Sequence, residues 1–229
     1  MLSSDVTVLG GGCVGLTAAL GLADQGFNVL VIDKADKAVE LRLPELRVSA
    51  ISAASENILR AVGAWTALEQ ERLSPYKTMK VWDKDSFGRI GFDATKLGQR
   101  RLGHIIENNN IRNALLAVAE THPKVTLAFN TGVQTLHNSD EQVLLTLEDG
   151  RPVVSKLLLA ADGANSWVRH QLKLPITFSD YDHHALVTTI KTQHAHRQCA
   201  RQVFLPDGPL ALLPLWQENL CSIVWSTAP

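Results

Sequence analysis

Four residues near the start of the chain have the types and spacing to hold a nucleotide. They are Gly10, Gly12 and Gly15, in the turn Gly10-Gly11-Gly12-Cys13-Val14-Gly15, and Asp33. Each glycine answers a separate steric demand: Gly10 permits a tight turn off a strand, Gly12 lets the backbone approach a pyrophosphate, and Gly15 lets a helix lie close to the sheet. The phosphates would sit at a helix N-terminus, where N–H groups and the helix dipole present roughly half a positive charge. Asp33 is placed to accept both hydroxyls of an adenosine ribose and to repel a 2′-phosphate. The competing reading is a glycine turn that only packs, and the pattern alone does not separate FAD from NAD.

A second group follows the apolar run Leu157 to Ala161: Asp162, Gly163, Ser166 and Arg169. Gly163 allows close approach, Asp162 can bond to a hydroxyl or a backbone amide, and Arg169 can pair with phosphate. The alternative is an N-capped helix with Arg169 as a surface charge. Cys13, Cys199 and Cys221 make neither a disulfide framework nor a zinc pattern. Cys13 is either a thiol activated by a helix N-terminus or, the favoured reading, a small residue filling a loop position. His183-His184 and His194-Ala195-His196 lack a completing cysteine or carboxylate, so no metal is expected. They are read as surface or substrate-domain histidines.

The elements that must position these groups are legible in the apolar pattern. The strand Val6-Thr7-Val8-Leu9 precedes the glycine turn, a helix over Leu16 to Ala23 follows, and the strand Val29-Leu30-Val31-Ile32 ends at Asp33. Lys34 to Glu45 reads as a polar loop, and the apolar spacing of Ile51, Ala54, Ile58, Leu59 and Val62 predicts a helix over Arg47 to Gly63. Strands are expected at Lys77 to Trp82, Ile90 to Phe92 and Gly103 to Ile106, then a helix from Asn109 to Thr121. Further strands are expected at Val125 to Phe129, Gly132 to His137, Val143 to Glu148 and Val153 to Ala160, with a hairpin turn at Asp149-Gly150. From Ala185 onward the β-branched alternation predicts a sheet of a second domain.

The chain of 229 residues has room for one large or two small domains. Its 45% apolar and 20% charged residues and net charge of -1 describe an ordinary globular protein, with no basic field to attract nucleic acid. No apolar run reaches the roughly 20 residues of a membrane helix. The opening Met1-Leu2-Ser3-Ser4-Asp5 has no basic region, so the expected location is cytoplasmic.

The Asp162-Gly163 segment resembles the Asp-Gly fingerprint of the flavoprotein aromatic hydroxylases, the p-hydroxybenzoate hydroxylase class of monooxygenases. In that family the motif holds the FAD pyrophosphate region and bears on NAD(P)H binding, which would carry onto Asp162, Gly163, Ser166 and Arg169. The run Leu46-Arg47-Val48-Ser49-Ala50-Ile51-Ser52 is similar to a segment whose arginine contacts FAD, here Arg47. The run Ile106-Glu107-Asn108-Asn109-Asn110-Ile111-Arg112 is similar to a helix start whose first polar residue touches the flavin's ribityl or phosphate, here Asn108. The runs at 81–88, 202–206 and 208–215 look most like the ubiquinone-biosynthesis hydroxylases, within them the group acting at C5 of a polyprenylphenol.

The resemblance implies an α/β fold: a Rossmann-like FAD-binding domain of the GR2 flavoprotein type, over residues 1–75 and 100–180. A partial β-rich substrate domain would take 76–99 and 181–229. It also implies FAD as cofactor, NAD(P)H as the expected reductant, and O₂ as the source of an oxygen atom transferred to an electron-rich phenol ring. The implied substrate is a polyprenylphenol, with other ubiquinone-biosynthesis proteins as partners and at most peripheral membrane contact. Family members carry a later Gly-Asp motif for the ribityl chain, and no Gly-Asp pair occurs here. The chain is therefore expected to be the N-terminal part of a longer enzyme, inactive by itself. The alternative is a non-catalytic flavoprotein-like domain serving a biosynthetic complex.

Overall fold

The computed structural model describes residues 1–37, 41 and 44–228. The elements begin with β1 (Leu2–Leu9), α1 (Cys13–Asp24), β2 (Val29–Ile32), β3 (Val48–Ser52), α2 (Ala53–Ala61), β4 (Ser74–Tyr76), β5 (Thr78–Asp83) and β6 (Arg89–Asp93). They continue with β7 (Gly103–Glu107), α3 (Asn108–Thr121), β8 (Val125–Ala128), β9 (Val133–Asn138), β10 (Val143–Leu147), β11 (Pro152–Ala160) and α4 (Trp167–Gln171). The last four are β12 (His184–Lys191), β13 (Cys199–Leu205), β14 (Gly208–Pro214) and β15 (Leu220–Thr227). They divide into two compact units, one of Met1–Glu40, Leu59–Leu68 and Ile111–Thr177, the other of Leu41–Ile58, Glu69–Asn110 and Phe178–Pro229.

The first unit is built on a sheet of order β8-β2-β1-β11-β10-β9. Its strands β8, β2, β1 and β11 are mutually parallel, and the register sets Leu9 beside both Ile32 and Ala160, and Ile32 beside Ala128. Four strands thus finish level, which gathers the loops after them at one edge of the sheet, where open α/β sheets bind ligands. All four residues of β2 are buried, as a strand covered on both faces requires. Helix α1 buries Gly15, Leu16, Ala19, Leu20 and Ala23, a stripe at helical spacing. Strand β10 alternates, burying Val143, Leu145 and Leu147, and these pack with Leu9, Leu30 and Ile32 in one core. Gly150, at φ +83°, makes the turn from β10 to β11.

The second unit contains a six-stranded sheet, β12-β15-β14-β13-β5-β6, and a three-stranded one, β3-β7-β4. The helix expected over Arg47 to Gly63 is half strand. Its first part is β3, paired antiparallel with β7 from Val48 opposite Glu107 to Ser52 opposite Gly103. Pairing with a distant strand overrides the helical spacing of the apolar residues. Gly103 makes room for it, since a Cβ there would lie 2.4 Å from the Ile51 carbonyl oxygen. Strand β7 also pairs antiparallel with β4, from Ser74 opposite Ile105 to Tyr76 opposite Gly103, and all three strands fall in the second unit. The stretch Lys34 to Glu45, expected as a loop, is described at 34–37, 41, 44 and 45, where it is neither helix nor strand. Positions 38–40 and 42–43 lie outside the described residues. Among the described residues, no helix is long and apolar enough to cross a membrane.

Candidate nucleotide-binding site

The turn after β1 is shaped by contacts that exclude side chains. Gly10 has φ +113°, and a Cβ on it would meet the Ala161 carbonyl oxygen at 2.3 Å. Gly15 faces the Gly10 carbonyl oxygen so closely that a Cβ would lie 1.8 Å from it. Gly12 is different: a Cβ there would meet nothing within 4 Å, and the residue lines a cavity of about 440 Å³. Gly12 is also the N-cap of α1, with no side-chain cap bond, so no side chain competes for an anion at that end.

Asp33 stands where β2 ends and lines the same cavity. Its Oδ2 accepts from the Gly11 N–H at 2.5 Å and its Oδ1 from the Ala35 N–H at 2.8 Å. Each oxygen keeps a lone pair. Asp33 therefore both pins the glycine turn and offers acceptors to a ligand.

Asp162 and Gly163 close the cavity from the end of β11. The Asp162 carboxylate accepts from Ser166 Oγ at 2.6 Å, Trp167 N–H at 2.6 Å and Val168 N–H at 3.2 Å. Ser166 Oγ in turn accepts from the Arg169 N–H at 3.1 Å. Asp162 and Ser166 are thus the cap of α4, the competing reading of this motif, while Asp162 still faces the cavity. Arg169 lies in the middle of that five-residue helix and is half-buried.

Three supports were not singled out by the sequence patterns. A Cβ on Gly11 would lie 2.6 Å from the Phe129 ring, so the middle glycine of the triplet, like Gly10 and unlike Gly12, has no room for a side chain. Arg112 donates from Nε to the Gly11 carbonyl at 2.9 Å and from Nη2 to the Asp36 carbonyl at 2.7 Å, with its guanidinium 5.5 Å from the Phe129 ring. It ties the glycine turn to the chain after β2. The Gly10-Gly11-Gly12 run could have flagged Gly11, but no local pattern points to Arg112 or Phe129. Burial pushes the Cys13 thiol up, against a smaller opposing effect of Arg112. Cys13 opens α1 rather than filling a loop position, and the raised pKa argues against an activated thiol.

Arg47 and Asn108 are in the second unit, where they adjoin. The Asn108 N–H donates to the Arg47 carbonyl at 3.0 Å, and Ser49 Oγ donates to Asn108 Oδ1 at 2.7 Å. Just before Asn108, the Glu107 carboxylate is 1% exposed and takes two bonds of 2.6 Å from Arg72 and one of 2.7 Å from the Glu45 N–H. The hydrogen bonds to Glu107 raise the Arg72 pKa, and its guanidinium also stacks 4.3 Å from the Trp216 ring. Of the histidines, His196 is buried, with Nε2 2.9 Å from the Leu215 carbonyl and Nδ1 accepting from the Gln198 N–H at 3.0 Å. It is a structural residue of the second unit rather than a surface one.

Four parallel strands ending level, a glycine turn into an uncapped helix and an acid at the end of β2 define a nucleotide-binding α/β layer. The chain belongs to the FAD binding domain family, which it matches over residues 3–228. It is 37% identical to the 3-demethoxyubiquinol 3-hydroxylase of Escherichia coli, across 99% of this chain and 58% of that protein. It is 35% identical to the ubiquinone hydroxylase UbiL of Rhodospirillum rubrum, across 97% of this chain and 52% of that protein. With the human mitochondrial ubiquinone biosynthesis monooxygenase COQ6 the identity is 36%, across 98% and 51%. The chain thus spans little more than half the length of these relatives.

The fold is shared with p-nitrophenol 4-monooxygenase PnpA from Pseudomonas putida, at a TM-score of 0.83 and 20% identity, covering 100% of this chain and 59% of that one. It is also shared with Klebsiella pneumoniae HpxO complexed with FAD, at 0.76 and 17%, covering 100% and 58%. The first unit fits the adenosine diphosphate half of FAD on its own geometry. Gly12 leaves open space beside a helix N-terminus, and Asp33 carries unused acceptors on the same cavity.

Proposed function

We propose that this chain is the FAD-holding part of a flavin-dependent monooxygenase that hydroxylates the aromatic ring of a polyprenylphenol in ubiquinone biosynthesis. The observation that carries the cofactor assignment is the cavity over β1 and β2, with Gly12 open to it and Asp33 and Asp162 on its walls. The hydroxylase names of the sequence relatives support the reaction and substrate class. When bound, FAD supplies the redox chemistry by which O₂ is activated, with NAD(P)H as the proposed reductant.

The chain's residues bind and orient. The N-terminus of α1 receives the pyrophosphate beside Gly12, and Asp33 accepts the ribose hydroxyls. Arg112 and Asp33 hold the Gly11 backbone from opposite polarities, one through its carbonyl and one through its amide, so the turn is set before a ligand arrives. Asp162 fixes the start of α4 and closes the cavity wall. Gly163, Ser166 and Arg169 are assigned to the pyrophosphate region, and Arg47 and Asn108 to the same cofactor, by resemblance.

The test is in two parts. Titration with FAD, followed by flavin absorbance and fluorescence, should show saturable binding, and a protein extended to the length of its relatives should consume NAD(P)H and O₂ with a polyprenylphenol and release a hydroxylated product. Absence of FAD binding in both forms would leave the non-catalytic reading; FAD binding without product would overturn the substrate assignment.

A further inference from the structure

The cavity holds a carboxylate that phosphate and ribose leave unused. Glu148 directly follows β10, and the packing of Val143, Leu145 and Leu147 on Leu9, Leu30 and Ile32 carries that end of β10 toward the finish of β1 and β2. There Glu148 lines the cavity with Asp33, Thr131, Gly132, Val133 and Trp167. The Glu148 N–H donates to the Gly132 carbonyl at 3.0 Å. A Cβ on Gly132 would lie 2.2 to 2.4 Å from the carboxylate carbon and both its oxygens. The missing side chain at 132 is what lets this carboxylate lie against the main chain at the cavity wall.

An ionised glutamate only accepts hydrogen bonds, so this position suits a donor and repels phosphate. With phosphate beside Gly12 and ribose at Asp33, the base is the part of an adenosine diphosphate left to meet it. Trp167 and Val133 supply an aromatic and an apolar wall of the kind on which a purine lies. Adenine presents an exocyclic amino group as a donor, whereas a 6-oxopurine presents a carbonyl oxygen there. We propose that Glu148 selects the base: its carboxylate accepts a hydrogen bond from the adenine amino group and disfavours a 6-oxopurine. The proposal rests on the reading that this cavity holds the adenosine half of FAD.

The experiment compares FAD with flavin hypoxanthine dinucleotide, which differs at that amino group, by titrating the apo-protein and following flavin fluorescence. The wild type is expected to prefer FAD by about tenfold or more, the size of a hydrogen bond to a charged group. Glu148→Ala, at an exposed position, should abolish the preference while folding normally. Gly132→Ala, whose methyl displaces the carboxylate rather than backbone, should shrink it. Equal wild-type affinity for the two dinucleotides, or a preference that survives Glu148→Ala, would overturn the base-selecting role and leave the FAD reading standing. Binding of neither dinucleotide would overturn both.

Discussion

The Asp33 carboxylate accepts the Gly11 N–H at 2.5 Å, so the acid at the end of β2 and the turn at the end of β1 form one structural unit. A residue chosen on sequence for its reach to a ribose also sets the backbone that meets the phosphates. Asp33→Ala should therefore do two things at once. It strands the Gly11 backbone donor, at a cost of about 1–3 kcal/mol, leaves the exposed Ala35 N–H to solvent, and removes the ribose acceptors. Thermal unfolding should shift downward and FAD affinity should fall; Asp33→Asn, which keeps one acceptor oxygen, should recover part of the first effect and less of the second.

Gly12→Val separates binding from folding. Open space surrounds a Cβ at that position, so the fold should persist with an unchanged melting temperature. The added side chain occupies the cavity, and FAD affinity should drop by at least about tenfold, the equivalent of roughly 1.4 kcal/mol. Circular dichroism and flavin fluorescence on the same sample check both halves.

Gly15→Ala is expected to behave in the opposite way. Its Cβ would collide with the Gly10 backbone carbonyl, which has no rotamer to retreat into. Overpacking of this kind typically costs 1–3 kcal/mol, and we expect the upper end, about 3 kcal/mol, in a denaturant melt without any ligand.

How much of this was legible beforehand divides along locality. The strand, turn, helix, strand and acid of residues 6–33 are contiguous, and periodicity with glycine sterics is enough to read them. The residues of β3 read as helix on their own because the strand's register is set by β7, more than fifty positions away, and no local pattern carries that information. Asp162 was legible as a special residue, but its three hydrogen bonds to the start of α4 make its structural role more prominent than the motif suggests. Arg112 and Phe129 brace the glycine turn from α3 and from the residue after β8, and that contact exists only once the chain is folded.

The buried Arg72–Glu107 pair gives a test of the second unit. Removing the arginine leaves a carboxylate that is 1% exposed with its charge unpaired, and breaking such a pair costs about 3–5 kcal/mol. Arg72→Ala should lower the unfolding midpoint strongly at neutral pH. Removing both partners, as Arg72→Met with Glu107→Leu, should cost less than Arg72→Ala alone.

Cys13 supplies a pH-dependent prediction. Burial raises its pKa, so the folded state holds the thiol proton to higher pH than the unfolded chain does. Any stabilisation tied to this proton is present below the unfolded pKa. As pH rises from the unfolded to the raised folded value, the unfolded state binds fewer protons and stability declines. Alkylation of Cys13 by iodoacetamide in the native protein should be slower at pH 8 than that of the unfolded chain, and should accelerate only at higher pH.

Whether the cavity above β1 and β2 holds the adenosine diphosphate half of FAD is tested most directly by an FAD titration of the wild-type chain beside its Gly12→Val variant. Saturable binding by the first, lost or weakened by at least about tenfold in an equally folded second, is the predicted result. No binding by the wild type, or binding unaffected by the substitution, would contradict it.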